Sequence, residues 1–417
     1  MSEARGYGPH HDGERAPSVA ANGSLSEARG YGRDHNGGRA PSAAAPATPL
    51  LTVVVPVHRV EPYLRRCLDS VLAGAGTEVE VVAVDDHSPD GCGAILDRYA
   101  AHDSRVRVVR LATNVGLGRA RNAGVARARG DYVWFVDGDD WLPPGTLPAV
   151  LRRLMTTRPD VLMVDHVEVF DDGRTRPGTL AREVDDLAPP FRLAQHPRLL
   201  RLAHCASACT KVVRRGFLRE IGLRFHPGWY EDCAYSYPLL MAARNLDVMG
   251  RVCYCYRQRA GGGITRTVSP RHVEVFGQYE RMFAVVDRHA AAYDVFRPEL
   301  FRLMVNHLLV IAGSERRLPP SLRRAFFRQA AQRYRRWLPS QGYDVPGGVA
   351  GLKHRLLGRD AYLAYAALRL AYRVAGLRGR LATAQPDPVA ALPANRQPAA
   401  AGAKRGTRSR GADLTVR

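Results

Sequence analysis

The stretch LLTVVVPVHRVEPYLRRCLDSVL, residues 50 to 72, decides the fold class of this 417-residue chain. It opens with a β-branched run of strand length, and the apolar residues from Tyr63 to Leu72 then recur at intervals of three and four. The first pattern predicts a buried strand and the second an amphipathic helix. A strand followed directly by a helix is the repeating unit of an α/β fold.

The alternation continues through three more strands. The predicted elements are strands at Val79–Val84, Val106–Leu111 and Tyr132–Val136, with helices at Cys92–Ala100 and Gly118–Ala128 between them. This order predicts a mostly parallel sheet flanked by helices, whose ligands bind beyond the carboxyl ends of the strands. Polar or turn-forming residues stand at these strand ends: Pro56, His58, Asp85, Asp86, Asn114, Asp137, Asp139 and Asp140.

The most informative strand end is Val136-Asp137-Gly138-Asp139-Asp140-Trp141. Three neighbouring carboxylates repel one another, at a cost of several kcal/mol unless a cation offsets it. Oxygen ligands select a hard ion such as Mg²⁺ or Mn²⁺, which takes its remaining ligands from water and substrate phosphates. The alternative is a polar turn, because Asp-Gly is common turn chemistry.

A second acidic strand end, Asp85-Asp86, is predicted one crossover away, where a carboxylate can accept hydrogen bonds from a base or a ribose. The glycines Gly116 and Gly118 then open a predicted helix. They do not complete a dinucleotide fingerprint, because Arg121 occupies the third glycine position. An NAD-type site is therefore disfavoured.

Four motifs in this order resemble the family 2 glycosyltransferases of the GT-A fold. They are LLTVVVPVHRVEPYLRRCLDSVL, VEVVAVDDHSPDG, NVGLGRARNAGVARARGDYVWFVDGDD and WYEDCAYSYPLL. The resemblance covers roughly Leu50 to Arg266, about half of the chain, and it implies a GT-A domain over residues 49–268. The implied activity is transfer of a sugar from a nucleoside-diphosphate donor, with Mn²⁺ or Mg²⁺ as cofactor.

The resemblance also implies roles for individual residues. Asp139 and Asp137 match the metal-binding carboxylates, and Asp140 is a further candidate. Asp232 resembles the catalytic base, with Glu231 as its substitute candidate. The residues implied to contact the donor are Pro56, His58, Asp86, Asn114, Arg121, Asp137, Arg257 and Thr265, among which Asp86 resembles the carboxylate that reads the imide of uracil.

The chemistry of sugar transfer is consistent with separate roles for the base and for the metal-binding carboxylates. In an inverting transfer one carboxylate takes the proton of the acceptor hydroxyl, while a cation stabilises the leaving diphosphate. The alternative for Glu231-Asp232 is a helix N-terminus, where acidic residues are favoured by the helix dipole.

The sequence departs from the family pattern at two points. His58-Arg59 stands where the family usually has Tyr-Asn, so base stacking would fall to an imidazole. Gly263 stands where a serine is common, and Thr265, Arg257 or Arg259 could supply the missing contact.

Charge is concentrated at the C-terminal end. The net charge is +21, and residues 301–417 carry 22 Lys and Arg against five acids, which is +17 of that total. We predict helices at His272–Ala291, Arg297–Gly313, Ser321–Trp337 and Ala361–Ala375 in a basic helical region spanning 269–380. Two interpretations stay open for this region, attraction to anionic lipid or a polyanionic acceptor, and a merely solvated Arg-rich surface. Nucleic acid is disfavoured, because no finger or recognition helix is present.

Composition bounds the remaining properties. No apolar run is long enough to span a membrane and no signal-peptide core is present, so a cytoplasmic protein is expected, in one interpretation peripheral at the inner membrane face. Residues 1–48, which contain a duplicated polar repeat, and residues 381–417 are predicted to be disordered. The seven cysteines predict neither a zinc site nor a disulfide framework.

The sequence thus predicts an inverting, metal-dependent glycosyltransferase. The donor is expected to be a UDP-sugar, and the acceptor a hydroxyl of a wall polymer, a polyol phosphate, a capsule saccharide or a lipid-linked saccharide. Apolar stripes on the C-terminal helices leave homo-oligomer formation open. The alternatives are a sugar-nucleotide nucleotidyltransferase and a non-catalytic carbohydrate- or polyanion-binding protein of the same fold.

Overall fold

The computed structural model describes residues 48–178, 180, 190–201, 206–259, 261 and 263–383. Nearly all of the predicted N-terminal disordered segment, residues 1–47, lies outside this part, as do residues 384–417 of the predicted C-terminal tail. That tail was predicted to start at 381, whereas the last described helix continues to Thr383.

The predicted strand-helix alternation is confirmed. The elements are β1 (Leu51–Val57), α1 (Glu61–Leu72), β2 (Val79–Asp85), α2 (Cys92–His102), β3 (Val106–Arg110), α3 (Leu117–Arg127), β4 (Tyr132–Phe135) and α4 (Thr146–Thr157). Both β1 and β2 are buried along their whole length, as strands covered by helices on both faces should be. Helix α1 buries Leu64, Cys67, Leu68 and Val71, which its three- and four-residue spacing places on one face.

Four further strands complete the sheet: β5 (Val161–Phe170), β6 (Thr175–Pro177), β7 (Lys211–Arg214) and β8 (Leu246–Gln258). Helices α5 (Arg215–Glu220) and α6 (Glu231–Ala242) lie between β7 and β8 in the sequence. The strand predicted at Asp160–Val164 is longer than expected, because β8 pairs with β5 as far as Phe170.

The described strands form one sheet in the order β3-β2-β1-β4-β7-β5-β6, with β8 also paired to β5. Strands β1 to β4 are parallel, and β7 runs antiparallel to β4. The chain order reverses between β1 and β4. In open α/β sheets this reversal opens a crevice at the carboxyl ends of the strands, where ligands bind.

The C-terminal region is helical, as predicted. Its helices are α7 (Glu274–Arg288), α8 (Ala290–Tyr293), α9 (Arg297–Gly313), α10 (Arg323–Trp337), α11 (Gly348–Gly358) and α12 (Tyr362–Thr383). Helix α7 packs against α6, and α9 to α12 pack on one another in sequence. Among the described helices, none combines the length and the apolar character of a bilayer-crossing segment.

Candidate active site

Four predicted donor-binding residues lie near one another at the ends of the first three strands. Pro56 pairs with Val84 of β2, two residues before His58. The His58 Nδ1 atom is 3.0 Å from the Asp86 carbonyl oxygen, and the Asn114 amide nitrogen is 3.0 Å from His58 Nε2. The fold therefore brings His58, Asp86 and Asn114 into one hydrogen-bonded group.

The Asp86 carboxylate orders the loop after β3. Its two oxygens accept hydrogen bonds from the backbone N–H groups of Val115, at 2.7 Å, and of Gly116, at 2.9 Å. Gly116 has a φ of 86°, a left-handed conformation that favours glycine. Asp86 thereby fixes the loop that carries Asn114.

Arg121 of α3 joins the two acidic motifs. Its Nη2 atom donates to both carboxylate oxygens of Asp137, at 2.9 and 3.1 Å. Its Nη1 atom donates to Asp232 Oδ1 at 2.6 Å and to Glu231 Oε1 at 3.1 Å. The Arg121 side chain is 1% exposed, so three carboxylates from two distant segments share one buried cation.

The electrostatics of this group distinguish its two candidate bases. Burial raises the pKa of Glu231 to about 8, and the charge of neighbouring Asp232 adds to that shift. Burial alone would lower the pKa of Arg121, but the charges of Asp137 and Asp232 raise it well above its usual value. The Glu231 side chain is 5% exposed and the Asp232 side chain 26% exposed. At neutral pH we therefore expect Glu231 to be largely protonated, with Asp232 the more accessible carboxyl group.

The remaining acids after β4 have different partners. Asp140 is buried, and its oxygens accept hydrogen bonds from the Tyr254 hydroxyl at 2.5 Å and the Arg257 backbone N–H at 2.8 Å. Asp139 forms an ion pair of 2.5 Å with Arg259. Arg257 Nε also donates to the Asp139 carbonyl oxygen at 2.9 Å. The end of β8 thus closes over the acidic turn.

This turn has the donor chemistry of a divalent-cation site. Burial raises the pKa of Asp139, against the opposing charge of Arg259, and burial with the charges of Asp139 and Asp137 raises that of Asp140 well above its usual value. A bound cation would offset such a concentration of buried negative charge. Among the described residues, no three acidic, histidine or cysteine side chains form a ready-made metal cluster. Two carboxylates completed by water and substrate phosphates suffice for Mg²⁺, so Asp139 and Asp137 fit the ion.

The segment after β8 explains one departure from the family pattern. Gly263 has a φ of 83°, a left-handed conformation in which a serine would be strained. Thr265 lies in the 3₁₀ turn Ile264–Arg266 that follows. Upstream, the Arg257 guanidinium lies 4.7 Å from the Tyr63 ring, and that of Arg259 lies 5.3 Å from it. Both arginines therefore border the acidic turn while Tyr63 supports them.

The helix that carries the candidate base begins with backbone strain. Tyr230, immediately before Glu231, has a φ of 64° and a ψ of 25°, which is costly for a residue with a bulky side chain. Its hydroxyl lies 2.5 Å from His272 Nδ1, and its ring packs edge-on against His307 of α9 at 4.9 Å. Residues of the C-terminal region therefore hold the turn before α6.

Those two histidines belong to a neutral buried network. His272 Nε2 is 2.8 Å from the Thr267 carbonyl oxygen, and His307 Nδ1 is 3.0 Å from the Tyr279 hydroxyl. Burial lowers the pKa of His307 to about 3 and also lowers that of His272. Both imidazoles are thus neutral at physiological pH.

Sequence reasoning missed Tyr254, Tyr63 and the pair Tyr230–His272 as parts of the site. Tyr254 also lies 3.2 Å from the Asp137 backbone N–H, through its hydroxyl. The alternation in Cys253-Tyr254-Cys255-Tyr256 indicates a strand with both tyrosines on one face, but it does not tell which tyrosine hydroxyl reaches the acidic turn. No sequence spacing indicates the Tyr230–His272 contact, since it joins residues 42 positions apart.

Comparison with known proteins gives a consistent picture. The family model described as "Glycosyl transferase family 2" matches residues 52–222. EpsJ of Bacillus subtilis is 36% identical over 50% of this chain, and the match spans 61% of EpsJ. EpsH of the same organism is 33% identical over 62% of this chain, and the match spans 75% of EpsH. Both relatives are named as glycosyltransferases.

A third relative has a solved structure. The poly(ribitol-phosphate) beta-N-acetylglucosaminyltransferase TarS of Staphylococcus aureus is 28% identical over 61% of this chain and 43% of TarS. Its crystal structure superposes with a TM-score of 0.53 at 20% identity, covering 70% of this chain and 49% of the TarS chain. This similarity supports the GT-A-like, mostly parallel sheet with flanking helices.

Proposed function

Because the chain belongs to the family 2 glycosyltransferases, we propose that it transfers a sugar from a UDP-sugar to a hydroxyl group of a cell-surface polymer, with inversion at the anomeric carbon. TarS, whose name specifies an N-acetylglucosaminyl group and a poly(ribitol phosphate) acceptor, supports an N-acetylhexosamine donor and a polyol-phosphate acceptor as the first to test. Other wall, capsule and lipid-linked saccharides are the further acceptors in this proposal.

One observation carries the proposal. The buried guanidinium of Arg121 bonds Asp137, at the end of β4, and Asp232, at the start of α6. Family resemblance gives these two carboxylates separate tasks, one on the donor side and one on the acceptor side. A shared rigid cation holds them at a fixed separation, which transfer between two bound substrates requires.

Asp232 is the base in this proposal. It is the more exposed of the two candidates, and its two oxygens are oriented by Arg121 and by the Ala208 backbone N–H at 3.2 Å. Carboxylate oxygens have further lone pairs, so these bonds leave room for the proton of an acceptor hydroxyl. Glu231, with its pKa raised to about 8, instead serves as a buried neutral neighbour that limits repulsion.

The group formed by His58, Asp86 and Asn114 is the proposed site of the nucleoside. The imidazole offers a flat face to a base, beside Pro56 at the end of β1. Asp86 already accepts two backbone hydrogen bonds, and a uracil imide N–H would be a third donor to its carboxylate. The backbone bonds orient the Asp86 carboxylate for that contact.

The residues that would hold Mn²⁺ or Mg²⁺ are Asp139 and Asp137. The ion would supply charge neutralisation to the leaving diphosphate. Arg259 and Arg257, which already contact the Asp139 side chain and backbone, would complete a positive border for the phosphates. Asp140 is 1% exposed, whereas the Asp137 side chain is 23% exposed, so the proposed task of Asp140 is to fix the turn through Tyr254 and Arg257.

The test is release of UDP from a panel of UDP-sugars, with polyol-phosphate and saccharide acceptors and Mn²⁺ present. Asp232→Asn should lower turnover about 10²- to 10⁴-fold, the usual contribution of a positioned general base. Glu231→Gln is the matched variant one position away and should lower turnover much less. The exposed Asp97→Asn should leave it unchanged. The product anomer should be inverted relative to the donor, as read by proton NMR.

Two results would contradict the proposal: turnover that persists in Asp232→Asn, and nucleotide-sugar synthesis without any transfer. The metal is tested separately. Turnover should be lost in EDTA and restored by Mn²⁺, and Asp139→Ala should prevent the restoration. Unchanged turnover in EDTA would instead assign charge neutralisation to Arg257 and Arg259.

A further inference from the structure

Helix α12 has an unusual outward face. It packs on the body through Tyr365, which is 2% exposed and donates a hydrogen bond of 3.1 Å to the Leu309 carbonyl oxygen. Leu363 is 75% exposed, Leu370 62% and Val374 42%. A surface helix ordinarily presents polar side chains to water on the face opposite its buried one.

The three exposed side chains form one stripe. Positions 363, 370 and 374 are seven and eleven residues apart, so at 3.6 residues per turn they fall within about 40° of one another. Position 365 lies on the opposite side of the helix. We call Leu363, Leu370 and Val374 the outer stripe. Helix α12 thus has two apolar faces, of which the body covers only one.

Positive charge lies to one side of the outer stripe, at Arg369 and Arg373. Helix α12 contains Arg369, Arg373, Arg378 and Arg380 and no acidic residue. A cavity of about 440 Å³ lies between this helix and the end of α9. The residues lining it are Gly313, Ser314, Glu315, Arg316, Lys353, Arg369, Tyr372 and Arg373. Four of these carry positive charge, and the single acid, Glu315, pairs with Arg373.

We propose that α12 docks the protein on the surface of an anionic phospholipid bilayer. The outer stripe enters the interface between headgroups and acyl chains, and the cationic cavity receives a headgroup phosphate. Arg373, which lines the cavity, lies about 80° around the helix from Leu363, so the cavity opens at the side of the stripe and not within it. An apolar stripe flanked by arginines is the usual design of a helix that lies in the membrane plane.

Charge argues against the other occupants of this face. Helix α12 has no acidic residue of its own, so two copies packed through the stripe would have no carboxylate on either helix to pair with the arginines of the other. Self-association through the stripe is therefore disfavoured. The phosphates of a soluble polyol-phosphate polymer could pair with the cations of the cavity, but such a polymer has no apolar part to cover Leu363 and Leu370. An anionic bilayer satisfies both features at once.

The first experiment is co-sedimentation of the full chain with vesicles of phosphatidylcholine, alone or mixed with phosphatidylglycerol. We expect binding to the mixed vesicles, weakening as salt is raised. The triple variant L363S/L370S/V374S should lower the partition coefficient about tenfold or more, since it removes the apolar contact without changing charge. Met155→Ser, on α4, removes an apolar side chain of similar exposure, 57%, and should have no effect.

The second experiment removes positive charge. R316Q/K353Q/R373Q should lower binding to mixed vesicles, whereas R65Q/R127Q/R152Q, three exposed arginines of α1, α3 and α4, should lower it much less. Arg369 is left in place, because it donates to the carbonyl oxygens of Ala312 and Gly313. Circular dichroism and thermal unfolding verify that each variant is folded.

Three results would overturn the proposal. One is vesicle binding that none of the α12 variants weakens. Another is a change from dimer to monomer in the stripe variant by light scattering, which would identify the face as a contact between copies. The last is tight binding to soluble poly(glycerol phosphate) that the stripe variant leaves intact and that competes with vesicles. Vesicle binding needs no donor or acceptor, so its outcome is independent of the proposed transferase activity.

Discussion

Two groups of mostly buried polar side chains meet at the start of α6. One combines carboxylates with a cation, and the other consists of uncharged side chains. On the sheet side, the carboxylates of Asp137, Glu231 and Asp232 surround the Arg121 guanidinium. On the helical side, the neutral side chains of Tyr230, His272, His307 and Tyr279 form a network, and Arg317 at its border bonds the Tyr230 side chain. We call the first the charged group and the second the neutral group.

This contrast indicates that the two groups have different tasks: the charged group would take part in the reaction, and the neutral group supports the backbone beside it. The charged group holds more carboxylates than cations, so its balance depends on pH and on any further cation that binds. The neutral group has hydrogen-bonding partners within the protein and keeps Tyr230 in its left-handed conformation. The groups that titrate near neutral pH therefore lie on the side where protons and phosphates would be handled. The neutral group, bordered by Arg317, holds the turn before α6.

The largest effect is expected from removing the cation of the charged group. Arg121→Met should lower the free energy of unfolding by about 3–5 kcal/mol, because it leaves the part-buried carboxylates of Asp137 and Asp232 without their shared counter-charge. Turnover should fall as well, since Asp232 and Asp137 lose their common partner. Urea denaturation and donor turnover measure the two effects.

The control for Arg121→Met is Arg110→Met. Arg110 pairs with Asp97 on the surface, with side chains 51% and 65% exposed, so its loss should cost about 1 kcal/mol or less. Equal costs for the two variants would contradict the view that Arg121 is the balancing charge of a buried group.

A smaller effect on stability should follow from Glu231→Gln, and the size of this effect depends on pH. Its pKa is about 8 in the folded protein against an ordinary value near 4.3, so the folded state binds more protons than the unfolded one. The stability that Glu231 contributes is therefore complete below about pH 4 and is lost as pH rises toward 8. Glu231→Gln keeps the neutral form at every pH. Its free energy of unfolding relative to the wild type should therefore rise by about 1 kcal/mol or more between pH 5 and pH 8.

Urea denaturation of both proteins at three pH values measures that difference. A difference that stays constant would mean that Glu231 is ionised throughout and shares the charge of Arg121 fully. Asp232 would then have to be reconsidered as the only base, because both carboxyl groups would be available at neutral pH.

The neutral group should show a moderate effect. His272→Phe leaves the Thr267 carbonyl oxygen without its partner and removes one hydrogen bond of the Tyr230 hydroxyl, which keeps its contact with Arg317. We expect a cost of about 1–3 kcal/mol. Since His272 acts through Tyr230 on the base, kcat should fall while KM for the donor changes little. Tyr230→Phe, which keeps the ring and loses only the hydroxyl, should reproduce part of the fall in kcat. An unchanged kcat in both variants would mean that the network stabilises the fold without positioning the base.

Local sequence signals were sufficient for the sheet half of the molecule. The runs Leu51–Val57 and Val79–Asp85 are apolar enough, and α1 periodic enough, that strand and helix bounds agree within a residue or two. The predicted length of β5 was wrong, because residues 165–170 pair with β8, more than 80 positions away, and residues 167–169 also pair with the short strand β6. Helix α12 likewise continues past its predicted end at Ala375.

The sequence predicted which residues belong to the candidate site, but it did not predict which of them contact one another. Acidic strand ends indicated Asp86, Asp137 and Asp139 correctly as residues of one sheet edge. The sequence did not indicate that Arg121 would be buried between Asp137 and Asp232, since nothing in its spacing relates positions 111 residues apart. The roles assigned to these residues remain predictions for the experiments above.

The smallest effect on stability and turnover should come from removing an exposed charge, that of Arg271, at the edge of the neutral group. Arg271 is 53% exposed and pairs with Glu274 at 2.7 Å, while Glu274 accepts the Trp229 backbone N–H, also at 2.7 Å. Arg271→Gln should cost about 0.5 kcal/mol or less, because an exposed ion pair gains little over hydration. It should leave kcat unchanged, since the Glu274 bond to the chain before Tyr230 is retained. If Arg271→Gln lowered kcat as far as His272→Phe does, the turn before the base would be held by surface charge, and the neutral group would lose its assigned part in positioning Asp232.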